Sequence, residues 1–372
     1  MKIEIKKNIL LEELNKVSKA LSSKNIIPVL AGICFEVKNN KLILTASDND
    51  ITIQTYIDND DENLKIQEEG NIVIQGRYIL DIVRKLPDEV INIEVIDDSK
   101  VLIYTDNSEF NLNGINIKEY PSIKLEESKN KVMIDKDIFN DIINQTCFAA
   151  STDESKPTLT GINFNIVGNI LECNSTDSYR LSRKIVNLSE NKESFNLIIP
   201  SKNLLEYSKI LSNEGNIEIN IFNNKLLFKY NNMLFQTRLI SGSYPNTSNL
   251  IPEDHILKIT VDKNLFYNTL DRTSILATDK EKNIITLEID NTNMKLKSYV
   301  AEIGKVEEKM QIINENDESI KISFSSKYMM DALKAFSTDN VNILFFGEVK
   351  PIIIKSNEDE TLTELVLPIR TY

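Results

Sequence analysis

Ile5-Lys6-Lys7-Asn8-Ile9-Leu10 returns as Ile134-Asp135-Lys136-Asp137-Ile138-Phe139 and again as Val261-Asp262-Lys263-Asn264-Leu265-Phe266, at spacings of 129 and 127 residues. A second segment repeats in step with the first. Gly76-Arg77-Tyr78-Ile79-Leu80-Asp81-Ile82-Val83-Arg84-Lys85-Leu86 aligns with Ser201-Lys202-Asn203-Leu204-Leu205-Glu206-Tyr207-Ser208-Lys209-Ile210-Leu211. It aligns again with Ser326-Lys327-Tyr328-Met329-Met330-Asp331-Ala332-Leu333-Lys334-Ala335-Phe336, each time at an offset of 125. Self-similarity at a fixed period marks a repeat architecture. The 372 residues therefore divide into three units, 1–126, 127–252 and 253–372, each large enough to own a core.

Within each unit, helical periodicity alternates with short strand-like runs. Helices are expected over 7–21, 76–86, 135–150, 200–211, 262–274 and 325–336. Lys41-Leu42-Ile43-Leu44-Thr45, Ile51-Thr52-Ile53-Gln54-Thr55, Ile91-Asn92-Ile93-Glu94-Val95 and Val101-Leu102-Ile103-Tyr104 read as strands closed by Asn-Asn, Asp-Asn-Asp or Gly turns. The order helix, strands, helix, strands suggests a twofold echo inside each unit. The fold class is α+β with antiparallel sheets. Tyr120-Pro121 and Tyr244-Pro245 mark rigid turns near the unit boundaries, where Pro cannot extend a strand.

The second helix of each unit carries an apolar stripe: Ile79, Val83, Leu86; Leu204, Ser208, Leu211; Met329, Leu333, Phe336. The opposite side reads basic, acidic, basic: Arg77, Asp81, Arg84; Lys202, Glu206, Lys209; Lys327, Asp331, Lys334. One reading is a solvated helix face laced by ion pairs worth a few tenths of a kcal/mol each. The other is three helices turned towards one polyanion.

Net charge is −13, which by itself argues against a nucleic-acid partner. Its distribution argues otherwise. The six predicted helices hold 13 basic and 10 acidic residues, the rest of the chain 30 and 46. A local basic face on an acidic protein can still hold phosphates by counterion release.

Composition excludes several classes. With 41% apolar and 27% charged residues the chain is that of a soluble protein, and no apolar run reaches a membrane span. The N-terminus lacks a signal-peptide pattern, so a cytoplasmic location is expected. Cys34, Cys147 and Cys173 are too scattered for a metal or redox pair and read as buried thiols. His255 is the only histidine and falls in a predicted linker; there is no zinc helix, P-loop or dinucleotide fingerprint, and no cofactor or metal is expected. Asp48-Asn49-Asp50 resembles the start of a calcium loop, but lacks the Gly and the Glu at the later positions and reads as a hairpin turn. Three equivalent units without a unique reactive residue argue against an enzyme, leaving a protein-binding repeat scaffold and a DNA-binding protein as alternatives.

Asn174-Ser175-Thr176-Asp177-Ser178-Tyr179-Arg180-Leu181-Ser182 resembles the Thr-Asp-x-x-Arg-Leu run of the bacterial DNA polymerase III β-subunit family, the sliding clamps. The ending Val366-Leu367-Pro368-Ile369-Arg370-Thr371-Tyr372 is similar to that family's ending in low-GC Gram-positive bacteria. Length, triplication and the Tyr-Pro turns agree along the whole chain. The resemblance implies three clamp domains per chain, each with two helices on antiparallel sheets, forming half of a closed ring. It implies a head-to-tail homodimer around duplex DNA that tethers the polymerase III α subunit, the clamp loader and other clamp-motif proteins. It assigns DNA contact to Lys24, Arg77, Arg84, Lys156, Lys202, Lys209, Lys327 and Lys334, of which Lys24 and Lys156 lie on loops. The partner-peptide cleft falls to Leu159, Thr176, Tyr179, Arg180, Leu181, Pro245, Leu250, Pro351, Val366, Leu367, Pro368, Ile369 and Arg370. Tyr179 stands where some members have histidine, and Asn249 where some have arginine. Phe110 and Leu112, with Ile275 and Leu276, are implied at the dimer seam.

Overall fold

The computed structural model describes residues 1–21, 27–97, 99–189, 193–252, 254–277, 283–315 and 318–370. Six α-helices occur among them: α1 (Lys7–Val17), α2 (Gly76–Lys85), α3 (Lys136–Thr146), α4 (Ser201–Ser208), α5 (Lys263–Ser274) and α6 (Ser326–Lys334). Every one follows a strand with no intervening residue, and strands follow it in turn. The expected echo inside each third is thus a strand-helix-strands unit used twice. Asp262 shows how the switch is made: its carboxylate accepts from the Leu265 N–H at 2.7 Å, satisfying one of the donors a helix start leaves unpaired.

Strands follow the period-2 pattern. In Lys2–Lys6 only Ile3 and Ile5 are buried, and in Lys100–Tyr104 only Val101 and Ile103. Asn39 and Asn40 both take positive φ, 51° and 61°, in the two-residue turn between Gly32–Lys38 and Lys41–Ser47. That conformation matches the right-handed strand twist, and asparagine tolerates it. Asp48-Asn49-Asp50 is likewise a turn, with Asp48 Oδ1 accepting from the N–H groups of Asp50 and Ile51.

The chain forms two compact units, Met1–Lys136 with Glu206–Leu239, and Asp137–Leu205 with Ile240–Tyr372. The first holds a five-stranded sheet, ordered Leu64–Glu68, Lys2–Lys6, Val90–Asp97, Lys100–Tyr104, Glu109–Asn113. It also holds an eight-stranded sheet in which Met233–Arg238 pairs antiparallel with Ile51–Asp58, in the register Phe235 to Ile53. The second unit has a nine-stranded sheet and a four-stranded one, and in the larger Arg180–Asn187 pairs with Leu362–Val366. Each long sheet therefore runs across a boundary between sequence repeats.

Helices bury their apolar stripes on these sheets. α1 packs on α2 in the first unit and α5 on α6 in the second. In the second, Phe266 and Leu270 of α5 and Met329 and Leu333 of α6 join Leu257, Ile259, Ile285 and Ile343 from the strands in one core. Each such fully buried side chain contributes about 1.5–3 kcal/mol. The stripe expected for α4 is corrected: Leu204, Tyr207 and Ile210 are buried, whereas Ser208 and Leu211 are only partly so. The helix ends at Ser208, so the position seven residues after Leu204 is no longer helical, and Tyr207 instead packs on Phe228 and Phe235 at 4.8 and 4.6 Å between ring centroids.

Candidate functional site

Arg77, Arg84, Lys202, Lys209, Lys327 and Lys334 are all exposed, as the opposite face of each helix is the buried one. The acidic member of each triad finds a different partner. Asp81 lies 3.7 Å from Arg84, and Glu206 lies 2.7 Å from Lys209. Asp331 instead accepts from Arg180 at 2.6 Å. Lys334 stands over the Tyr267 ring, 5.2 Å from its centroid. Lys156 is exposed just ahead of the short turn of helix Pro157–Thr160, and Lys24 lies outside the described residues.

The residues that the resemblance assigned to the partner cleft all belong to the second unit. Strand register sets Arg180 opposite Val366 and Leu181 opposite Leu365, with Ile352, next to Pro351, paired to Val366 on its other side. Leu367 N–H then donates to the Tyr179 carbonyl at 2.9 Å, and Ile369 N–H to the Ser323 carbonyl at 2.7 Å, tying down the chain after Val366. From the other direction Tyr244 reaches in, its hydroxyl accepting from the Thr176 N–H at 2.9 Å, which fixes the Tyr244-Pro245 turn. Thr176 Oγ1 donates to the Arg180 carbonyl at 2.5 Å and closes the Asp177-Ser178-Tyr179 loop. Gly242, at φ 126°, lies so close to Thr158 that an added Cβ would sit 2.9 Å from its methyl, which brings the segment of Leu159 against the turn of Pro245.

Burial sorts this set in two. Leu159, Thr176, Leu181 and Val366 are buried, and Leu181 packs with Phe346, Ile353 and Leu365. Tyr179, Leu250 and Leu367 expose 61%, 46% and 36% of their surface, beside exposed Pro245 and half-buried Pro351, Pro368 and Ile369. These are large apolar side chains left open to solvent around a buried apolar base. Arg370 is exposed at its edge.

Arg180 is the most constrained member. Its Nε donates to Asp177 at 3.0 Å and an Nη to Asp331 at 2.6 Å, and the guanidinium lies over the rings of Tyr328 (4.5 Å) and Phe148 (5.3 Å). Asp177 is itself held by the N–H groups of Tyr179 and Arg180, and Tyr179 stacks on Tyr328 at 6.4 Å. Beneath lies Glu364, fully buried, with its Oε1 2.7 Å from Ser182 Oγ. Burial pushes this carboxyl well above the ordinary range, against the smaller opposing effects of the Ser182 contact and the Arg180 charge. Sequence reading passed over Asp177, Asp331, Tyr328 and Glu364 as site residues. In an acidic chain carboxylates carry little signal, though strand parity sets Glu364 on the same side as Leu362 and Val366.

The two pairs implied at the seam lie one in each unit. Phe110 and Leu112 share a face of Glu109–Asn113, one of the two edge strands of the five-stranded sheet, and Phe110 is 36% exposed. Ile275 caps the C-terminus of α5 and is 75% exposed, with Leu276 half-buried after it. Nearby, Arg272 of α5 makes two hydrogen bonds to Glu308 on Gly304–Gln311, an edge strand of the four-stranded sheet. Both strand edges leave backbone groups unpaired in the single chain, as edges do. Among the described residues no group of three or more His, Cys, Asp or Glu is placed to hold a metal, and no helix is long and apolar enough to cross a membrane.

Comparison with known proteins covers the whole chain. Residues 1–124, 133–246 and 248–370 match, in order, the N-terminal, central and C-terminal domains of the DNA polymerase III beta subunit. The beta sliding clamps of Staphylococcus aureus and Staphylococcus epidermidis are 40% and 39% identical over 376 residues, covering 100% of each chain. The crystal structure of the DNA polymerase sliding clamp from Bacillus subtilis superposes with a TM-score of 0.95 at 38% identity, again over 100% of both chains. The DNA polymerase III beta chain of Streptococcus pneumoniae gives 0.95 at 33%. This chain belongs to the DNA polymerase III β-subunit family, the bacterial β sliding clamps.

Proposed function

We propose that two copies join head to tail into a closed ring around duplex DNA, each chain supplying three clamp domains over 1–126, 127–252 and 253–372. The ring slides without reading bases and tethers the polymerase III α subunit, the clamp loader and other clamp-motif proteins in the cytoplasm. The protein catalyses nothing itself: tethering replaces dissociation by rebinding at an effective concentration of order millimolar. The observation that carries this reading is the recurrence of exposed basic residues at one register on α2, on α4 with the turn directly after it, and on α6, in an otherwise acidic chain. Arg77, Arg84, Lys202, Lys209, Lys327 and Lys334, with Lys24 and Lys156 from loops, contact phosphates, which position a protein on DNA without specifying sequence.

Partner segments dock on the surface of Leu159, Thr176, Tyr179–Leu181, Pro245, Leu250, Pro351 and Val366–Arg370. The accessible apolar groups Tyr179, Leu250 and Leu367 act as anchors, and the buried ones support them. At the seam, Phe110 and Leu112 of one protomer meet Ile275 and Leu276 of its partner, and pairing of the two exposed strand edges completes the contact.

The test is topological. Loaded on a nicked circular plasmid by a bacterial clamp loader, the protein co-elutes with the circle in gel filtration and is lost when the circle is cut. Equal retention on linear DNA, or none on the circle, removes the encircling function and leaves a scaffold that binds only proteins. Deleting the last five residues, from Pro368, should abolish binding of a clamp-motif peptide while the far-UV circular dichroism is kept; unchanged peptide affinity refutes the docking assignment.

A further inference from the structure

The same charge triad stands on α2, on α4 with the turn directly after it, and on α6, yet its acidic member is disposed differently on the last. On α2 and α4 the carboxylate turns to a cation of its own triad, Asp81 to Arg84 and Glu206 to Lys209. Each of those helices thereby presents one cation that is partly neutralised. On α6 the carboxylate turns away. Asp331 binds Arg180, which comes from the strand Arg180–Asn187, and among the described residues neither Lys327 nor Lys334 makes an ion pair; Lys334 is engaged by Tyr267, with Asp331 and Asp271 acting on it from longer range. In the helix Asp331 lies four residues after Lys327 and three before Lys334, the spacings at which side chains meet, so without Arg180 it would face both lysines.

The Arg180 contact is built to persist. The guanidinium is only 11% exposed, is anchored at its other end to Asp177, and is flanked by the rings of Tyr328 and Phe148. A shielded pair of this kind is screened by salt far less than the exposed pairs on α2 and α4. Arg180 is at the same time next to Tyr179 on the docking surface, so one side chain touches both functional regions of this unit.

We propose that Arg180 is a positioning residue for DNA contact: it holds the Asp331 carboxylate out of ion-pair distance of Lys327 and Lys334, so that neither cation of the α6 triad is salt-bridged. A docked segment whose carbonyl or carboxylate draws Arg180 to itself frees Asp331 to neutralise those lysines, so partner binding at this position loosens the hold on phosphate. By linkage, DNA weakens partner binding by the same factor. The proposal rests on the DNA and partner assignments made above.

The experiment measures equilibrium binding of a fluorescent duplex to the full-length protein between 50 and 200 mM salt, for Arg180→Gln, Asp331→Asn, the double variant and Lys327→Gln/Lys334→Gln, with thermal melts as a check on folding. Returning one acidic charge to the lysines offsets roughly one phosphate contact. Arg180→Gln should therefore lower the slope of log K against log salt by about 0.9, equivalent to a three- to fourfold smaller loss of affinity across that range, and bind more weakly at low salt. Asp331→Asn should bind at least as tightly as the parent. The double variant should match Asp331→Asn, a rescue that a merely structural defect at Arg180 would not give. A double variant as weak as Arg180→Gln overturns the proposal, and so does an unchanged slope in Arg180→Gln while the double-lysine variant is weakened. If the double-lysine variant itself binds like the parent, the DNA assignment of α6 fails and the proposal falls with it.

Discussion

Glu364 is the residue on which pH should act. Ser182 Oγ lies 2.5 Å from the Gln145 carbonyl, near the end of α3, and 2.7 Å from Glu364 Oε1. A hydroxyl has one proton and the carbonyl can only accept, so if Ser182 donates to Gln145 the second contact needs a proton from Glu364. Burial, the largest of the effects on this group, favours the neutral carboxylic acid in the folded protein. The sign follows. Below the ordinary glutamate range both folded and unfolded states are protonated and stability is at its full value. Above it only the folded state keeps the proton, and stability falls by about 1.4 kcal/mol for each pH unit until the raised folded value is passed. Glu364→Gln keeps an N–H for Ser182 and removes the titration. Urea unfolding at pH 6, 7 and 8 should then show the variant gaining on the parent by up to about 1.4 kcal/mol per unit. A difference independent of pH, with the variant as unstable as Glu364→Ala, would refute the protonated state.

Three further outcomes are expected. Burial pushes the Cys34 thiol up to about 12 and raises those of Cys147 and Cys173 as well, so Ellman's reagent should leave all three unmodified in the native protein at pH 8 and titrate them on unfolding; rapid reaction of even one in the native state contradicts this. On α4, Lys202→Gln should reduce the salt slope of duplex binding by about 0.9. Lys209→Gln should reduce it by less, because Lys209 already shares Glu206 at 2.7 Å, and the reverse order counts against the phosphate assignment. Phe110→Asp or Ile275→Asp should give monomers in light scattering, since a charge placed in an apolar seam goes unpaired; persistence of the dimer disproves the seam.

Much of the fold was legible where the code is local. Asn39-Asn40 announced its hairpin because few residues accept two positive φ values in succession, and the alternation in Val101 to Tyr104 announced its strand. The six helices were found within a few residues because the segments that form them recur at matching offsets. Local periodicity could not show which strands pair across the repeats: nothing in Ile51–Asp58 names Met233–Arg238 as its neighbour, since backbone hydrogen bonds are the same for any partner. Lys24 is a separate case, lying outside the described residues. At the site, the motif around Thr176 to Leu181 contains one of the carboxylates that orient Arg180, Asp177, but the other comes from position 331, which no local pattern ties to it. The pairing of Arg180 with Asp331 rather than with an exposed solvent ion is a property of tertiary packing.

The pairing of Met233–Arg238 with Ile51–Asp58, and of Arg180–Asn187 with Leu362–Val366, bears on how the protein can be dissected. A fragment cut at residue 126 would strip the neighbour from a mid-sheet strand of alternating Ile and Thr, an uncapped ledge on which further chains could add. The three repeated modules are thus separable on paper but conformationally obliged to be made as one piece.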